Sequence, residues 1–238
     1  QFGLGVPTGV DLPGETLGYQ ADPDTDVKML NLAIGQFDTY TPLQLAQYIS
    51  TIANGGYRIQ PRMLKEIRKP SKDGEHLGQV VDEVTPTILN RIENSEEEIA
   101  HVQEGLRRVY FGGGGSARRQ FATDDYTAAG KTGTAQVVYY GPQEEKYGTD
   151  TINFVHVGYA PFEDPEIAYA IIYPWATTDF DTYFPQGNET ARDLLDAYFE
   201  LKKKYATEGV TTSKVTMPIM RASTEKLDED QAVETVNE

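Results

Sequence analysis

Apolar side chains at Leu45, Ile49 and Ile52 repeat at helical spacing, behind Thr41-Pro42-Leu43-Gln44, which has capping-box form with proline at the first helical position. The spacing predicts a helix that Asn54-Gly55-Gly56 stops. A second helix is predicted from Ser95, with Glu98 completing its cap and Ile99, Val102, Leu106 and Val109 as its apolar face, ending at Gly112. A third runs from Asn188, its expected cap, to Tyr205. Ala191, Leu194, Leu195, Tyr198 and Leu201 form its stripe, and Lys202 to Lys204 complement the dipole at its end.

Elsewhere the pattern shortens to that of strands. Arg62 to Arg68 and Gln79 to Val84 read as a hairpin joined through Ser71-Lys72-Asp73-Gly74. After a glycine run at 112–115, expected to be a flexible connection, Val137, Val138, Tyr139 and Tyr140 make 128–140 a strand. Ile152 to Ala160 and Glu166 to Tyr173 follow, and the short turn 161–165 between them implies an antiparallel pair. The stretch Glu-Ile-Ala-Tyr-Ala-Ile-Ile-Tyr at 166–173 is nearly continuous apolar material, which suits a central strand, so a pairing partner outside this chain is expected. Residues 1–38, rich in Gly, Pro, Asp and Thr, read as irregular chain wrapped over another surface with little core of its own. The expected fold class is α/β of the α+β kind, an antiparallel sheet flanked by helices and incomplete in this chain. Residues 1–205 form the folded part and 206–238, with 3 basic and 7 acidic residues, an acidic flexible tail.

Composition narrows the chemistry. The 238 residues carry 21 basic and 37 acidic side chains, a formal charge of −16, so the electrostatic footprint of a nucleic-acid binder is missing. Arg107, Arg108, Arg118 and Arg119 are the nearest thing to a basic cluster and are expected to make a solvated face or local ion pairs. No cysteine is present, which excludes thiol catalysis and thiolate metal sites. His76, His101 and His156 lie far apart, without the spacing of a zinc site, and no metal site or cofactor is expected. No run of about 18 apolar residues occurs, and the chain begins at Gln1, so it is expected to be a piece of something longer.

The candidate chemistry lies in Ala128-Ala129-Gly130-Lys131-Thr132-Gly133-Thr134-Ala135-Gln136. Gly130-Lys131-Thr132 matches the end of a phosphate-binding P-loop, but that motif needs a glycine where this chain has Asp125, and it must open a helix rather than a strand. On a strand, Lys131, Gly133 and Ala135 share one face and Thr132, Thr134 and Gln136 the other. The small residues beside Lys131 are expected to let a neighbouring helix approach closely. If the strand is an edge, its free N–H groups can pair with an extended substrate and polarise a carbonyl, while Lys131 supplies positive charge.

Lys131-Thr132-Gly133 resembles the third motif of the penicillin-recognising serine acyl transferases. The flanks resemble class B penicillin-binding proteins over residues 1–205: Phe2-Gly3-Leu4-Gly5 with Thr8-Gly9-Val10-Asp11-Leu12-Pro13-Gly14-Glu15, then Ala33-Ile34-Gly35-Gln36, Thr41 to Ala46, Ile52 to Gly56, and Phe154 with Val157 to Pro161. The resemblance implies a penicillin-binding transpeptidase/β-lactamase-like fold. It also implies a nucleophile in a Ser-x-x-Lys motif and a proton-moving Ser-x-Asn motif, both ahead of the segment with which this chain begins. The one Ser-x-x-Lys here, Ser223 to Lys226, lies on the wrong side of Lys131, and none of the six serines begins a Ser-x-Asn.

By resemblance, Lys131 would hold the proton-shuttling serine and Thr132 would bind the substrate or β-lactam carboxylate. Gly133 would keep the strand bare, and the Thr134 N–H would be half of an oxyanion hole. His156 stands where relatives more often carry a large apolar residue and is expected to pack rather than catalyse. The implied activity is peptidoglycan D,D-transpeptidation, with this chain alone inactive. A D,D-carboxypeptidase or β-lactamase of the same fold, or a non-catalytic β-lactam sensor or glycan-binding domain, are the alternatives. Implied partners are peptidoglycan stem peptides, β-lactam antibiotics and other wall-synthesis proteins, with no nucleic acid. The implied location is the extracytoplasmic face of a bacterial membrane, reached through an N-terminal anchor outside this chain.

Overall fold

The structure, a computed structural model, describes residues 1–22, 26–71, 78–122, 125–178 and 184–207. Along the chain the elements are α1 (Asp26–Leu32), α2 (Pro42–Ala53), β1 (Tyr57–Ile59), β2 (Glu66–Arg68), β3 (Val80–Glu83), β4 (Ile88–Arg91), α3 (Glu96–Phe111), α4 (Arg118–Phe121), β5 (Ala129–Val138), β6 (Asp150–Ala160), β7 (Ile167–Thr177) and α5 (Pro185–Thr207). A single 3-10 turn, Glu144–Lys146, lies in the loop between β5 and β6. No described helix is long and apolar enough to cross a membrane.

β5, β6 and β7 form an antiparallel sheet in that order, and β6, paired on both sides, is buried along almost its whole length. Cross-strand partners share a face of the sheet, which sorts the core into two layers. On one face Ala128, Ala160 and Tyr169 pack under Tyr110, Phe121, Ala191 and Leu195 from α3, α4 and α5. On the other, Ala129, Val157 and Tyr159 pack under Ile49, Ile52 and Ala53 of α2. The result is the expected mixed fold, a sheet held between helices.

Both reciprocal caps form. Thr41 Oγ1 accepts from the Gln44 N–H at 3.2 Å while Gln44 Oε1 accepts from the Thr41 N–H at 3.0 Å, and Ser95 and Glu98 do the same for α3. Replacing Thr41 by alanine is expected to lower stability by about 1 kcal/mol, read as a lower thermal midpoint.

Gln44 and Gln47 are buried on the inward side of α2, where only apolar residues were expected. Their amides bind the N-terminal segment. Gln44 Nε2 donates to the Val6 carbonyl, Gln47 Nε2 donates to those of Thr8 and Ile59, and Arg58 donates to Gln47 Oε1 and to the Pro7 carbonyl. Further on, the Asp11 carboxylate accepts from the Met63 and Leu64 N–H groups, bonds that hold its pKa below the ordinary value. The expectation of a wrapped segment holds for this stretch, with α1 as an addition that Gly- and Asp-rich composition concealed.

One other sequence expectation is met and three need correction. The β2–β3 hairpin forms, but most of its expected turn lies outside the described residues, and β1 pairs with β4 beyond it. Val102 is 49% exposed, because α3 meets the sheet mainly through its second half, where Tyr110 is fully buried. α5 starts at Pro185, so Asn188 is not its cap but a buried residue within its first turns. The glycine run at 112–115 is a packed turn: Gly115 N–H donates to the Gly112 carbonyl, and a Cβ on Gly115 would lie 2.3 Å from the Val109 carbonyl oxygen. The expected acidic tail falls almost wholly outside the described residues.

Candidate active site

The backbone of β5 decides what its edge offers. Tyr139, just past the strand, donates its N–H to the Thr149 carbonyl and accepts from the Gly148 N–H, so its peptide groups face β6. The register from Ala129↔Tyr159 to Val138↔Asp150 runs without a bulge. In an antiparallel ladder the direction alternates, so Lys131, Gly133, Ala135 and Val137 bond β6, while Gly130, Thr132, Thr134 and Gln136 turn their N–H and C=O groups outward. Two side chains find those outward carbonyls: Gln36 Nε2 donates to Gln136 O at 2.8 Å, and Lys131 Nζ donates to Thr132 O at 2.6 Å. Among the described residues no strand pairs with this edge.

The side chains complete a polar strip along that edge. Lys131 and Thr134 are exposed, and Thr132 is half-buried. Thr132 Oγ1 lies 2.8 Å from Ser116 Oγ, a contact that nothing in the sequence foretold because the two residues come from different elements. The structure thus places Lys131, Thr132, Gly133 and Thr134 on one edge and adds Ser116 to them. Such a strip can take an extended peptide as an added strand, polarise its carbonyl with an outward N–H, and hold a carboxylate with hydroxyls and an ammonium. It contains no evident nucleophile, since Ser116 bonds a threonine hydroxyl rather than a basic side chain.

Close packing against β5 occurs at Gly130 rather than beside Lys131. A Cβ on Gly133 would meet nothing nearer than Val155 at 3.6 Å, whereas one on Gly130 would lie 2.0 Å from the Tyr110 hydroxyl. That hydroxyl is the centre of a buried network behind the strip. It lies 2.7 Å from His156 Nε2 and 2.5 Å from the Tyr169 hydroxyl, and His156 is the cross-strand partner of Thr132. Burial, assisted by the nearby Lys131 charge and opposed by the neighbouring polar groups of Gly187 and Asn188, pushes the His156 pKa down to about 4. A neutral imidazole locked between tyrosines fits the packing role expected of it.

The arginines divide. Arg107 and Arg108 both bind Glu104, which holds that carboxyl at about 2, while Arg118 and Arg119 are exposed on α4, next in sequence to Ser116 and Ala117. A cavity of about 260 Å³, lined by Tyr139, Lys146, Thr149, Thr151, Trp175 and Ala176 among others, lies at the far end of β5 and is separate from the strip.

A family profile, Penicillin binding protein transpeptidase domain, matches residues 1–196. The chain is 49% identical over 209 residues to penicillin-binding protein 2A of Bacillus subtilis, covering 88% of this chain and 29% of that protein. It is 32% identical over 191 residues to peptidoglycan D,D-transpeptidase MrdA of Acinetobacter baumannii, covering 73% of this chain and 27% of that one. Among solved structures it is similar to penicillin-binding protein 2B of Streptococcus pneumoniae, with a TM-score of 0.71 and 33% identity over 84% of this chain and 31% of that chain. The chain therefore spans a little under a third of the length of these relatives.

Proposed function

The chain belongs to the penicillin binding protein transpeptidase domain family, and on that premise we propose that it forms one wall of the active site of a serine-type peptidoglycan D,D-transpeptidase. The observation that carries the proposal is the outward-facing Thr134 N–H beside Lys131 and Thr132 on an unpaired edge strand. A stem peptide lies along β5, its carboxylate on the Thr132 hydroxyl and its reacting carbonyl on the Thr134 N–H.

A serine from another part of a longer polypeptide attacks that carbonyl. Its oxygen forms the ester as the peptide C–N bond breaks, and the proton lost by the serine reaches the leaving amine. An acceptor amine then displaces the serine, forming the cross-link and returning a proton to it. Lys131 holds the proton-shuttling group of the missing second motif in place, and its charge stabilises the oxyanion. β-Lactams acylate the same serine. No metal or cofactor enters this scheme.

The free edge of β7 supports the same arrangement. The Ala160 carbonyl accepts from the Glu166 N–H and so faces β7, and alternation from its register partner Ile167 turns the peptide groups of Ala168, Ala170 and Ile172 away from β6. Pro174, which has no N–H to offer, falls on that outer side. A strand from the remainder of the protein completes the sheet here, so the chain alone is inactive. The assembled protein works on the extracytoplasmic side of the membrane with other wall-synthesis proteins.

The test is fluorescent-penicillin labelling of the full-length protein and its Lys131→Ala variant. Loss of a charge-assisted contact is expected to slow labelling by about tenfold. Labelling of the variant at the parental rate would remove Lys131 from the mechanism, and a parent that takes no label would overturn the transferase assignment.

A further inference from the structure

We propose that Ser116 is a positioning residue that sets the donor direction of the Thr132 hydroxyl and so tunes selectivity for ligands bearing a carboxylate. The inference rests on the transpeptidase reading of the strip and assigns a role to a residue outside the Lys-Thr-Gly motif. Ser116 Oγ lies 2.8 Å from Thr132 Oγ1. A carboxylate can only accept hydrogen bonds, so it must take the Thr132 proton. Thr132 Oγ1 is then left as the acceptor in its pair with Ser116, and the Ser116 hydroxyl becomes the donor. The order Ser116 to Thr132 to carboxylate polarises both bonds in one direction.

The backbone around Ser116 is built to hold it there. Gly112 N–H donates to Arg108 O, Gly115 N–H to Gly112 O, and Ala117 N–H to Val109 O, all against the end of α3. Ala117 is fully buried, and Gly115 has no room for a Cβ beside the carbonyls of Arg108 and Val109. The Asn188 side-chain amide of α5 approaches the Ser116 carbonyl at 3.5 Å. Ser116 itself is exposed, so its hydroxyl is presented to the strip by a fixed turn and fills no core position.

The experiment measures acylation of the full-length protein by a fluorescent penicillin carrying a free carboxylate and by its methyl ester, in the parent and in Ser116→Ala and Ser116→Thr. In Ser116→Ala the half-saturating concentration of the acid is expected to rise by about five- to tenfold, with the limiting acylation rate unchanged. The ester's concentration dependence is expected not to move, so selectivity for acid over ester falls by the same factor. Ser116→Thr, which keeps the hydroxyl, restores the parental values. Equal losses for acid and ester would assign Ser116 a general structural role and overturn the proposal, as would parental kinetics in Ser116→Ala. A parent that reacts with neither compound overturns the transpeptidase reading and this inference with it.

Discussion

Proline at Thr134 is expected to slow acylation of the full-length protein by about 100- to 1000-fold, the effect of losing one oxyanion donor, while leaving the sheet folded. Proline is usually ruinous within a sheet because it removes a ladder hydrogen bond. Here the register from Ala129↔Tyr159 onward, fixed by the bonds of Tyr139 to the β6 side, turns the Thr134 N–H away from β6. Its removal costs no ladder bond, and Gly133 before it is already extended, as a residue preceding proline must be. Gly133→Pro removes an N–H that does bond β6 and is expected to disturb the sheet. Thr134→Val keeps the N–H and is expected to retain most activity. The measurements are the labelling rate and the thermal midpoint of each variant. A Thr134→Pro protein that labels at the parental rate would show that this N–H does not polarise the carbonyl, and one that unfolds would show that the register places it inward.

The direction of the Thr134 N–H is only half encoded in the amino-acid pattern. The β-branched and aromatic residues after Lys131 predicted a strand, and the period of two correctly put Lys131 and Thr132 on opposite faces. Which peptide groups face a neighbour depends on the loop 141–149, whose closing bonds at Tyr139 no local propensity encodes. The capping boxes at Thr41 and Ser95 were legible because each is complete within four residues. The unusual apolarity of residues 166–173 was likewise informative, and β7 does keep an open edge among the described residues.

What stayed hidden is long-range. Gln44 reads only as the end of a capping box, and Gln47 has no assigned role, until the carbonyls of Val6, Thr8 and Ile59 reach them. Ser116 reads as part of a linker until the end of α3 folds it against Thr132. Gly130 reads as motif punctuation, although its lack of a Cβ makes room for Tyr110, a residue 20 positions earlier.

The network served by that vacancy gives the second large effect, a loss of stability on acidification that depends on His156. The imidazole pKa is about 4 in the folded protein against an ordinary 6.5. Above pH 6.5 the histidine is neutral whether folded or unfolded and contributes no pH dependence. As pH falls below 6.5 the unfolded chain binds a proton that the folded protein refuses, so stability declines until the folded pKa is reached near 4 and levels off below it. At about 1.4 kcal/mol per pKa unit the total is about 3 kcal/mol.

The groups facing the imidazole reinforce this direction. Tyr110 and Tyr169 have pKa values raised by burial and remain neutral throughout the window, and the Lys131 ammonium nearby opposes a second positive charge. Carboxylates such as Glu104 and Asp11, whose pKa values are lowered, contribute stability that is fully present well above their unfolded values and is lost as pH falls from about 5.5 toward their folded values. The interval from 6.5 to about 5.5 therefore isolates the histidine. Thermal midpoints across that interval are expected to slope for the parent and to lie flat for His156→Phe, in which the Tyr110 and Tyr169 hydroxyls can still bond each other. Identical slopes in the two proteins would remove the histidine as their cause. Penicillin labelling per folded molecule is expected to show no step attributable to His156 over the same range, because the residue behind Thr132 stays neutral and holds the strand without exchanging a proton with the substrate.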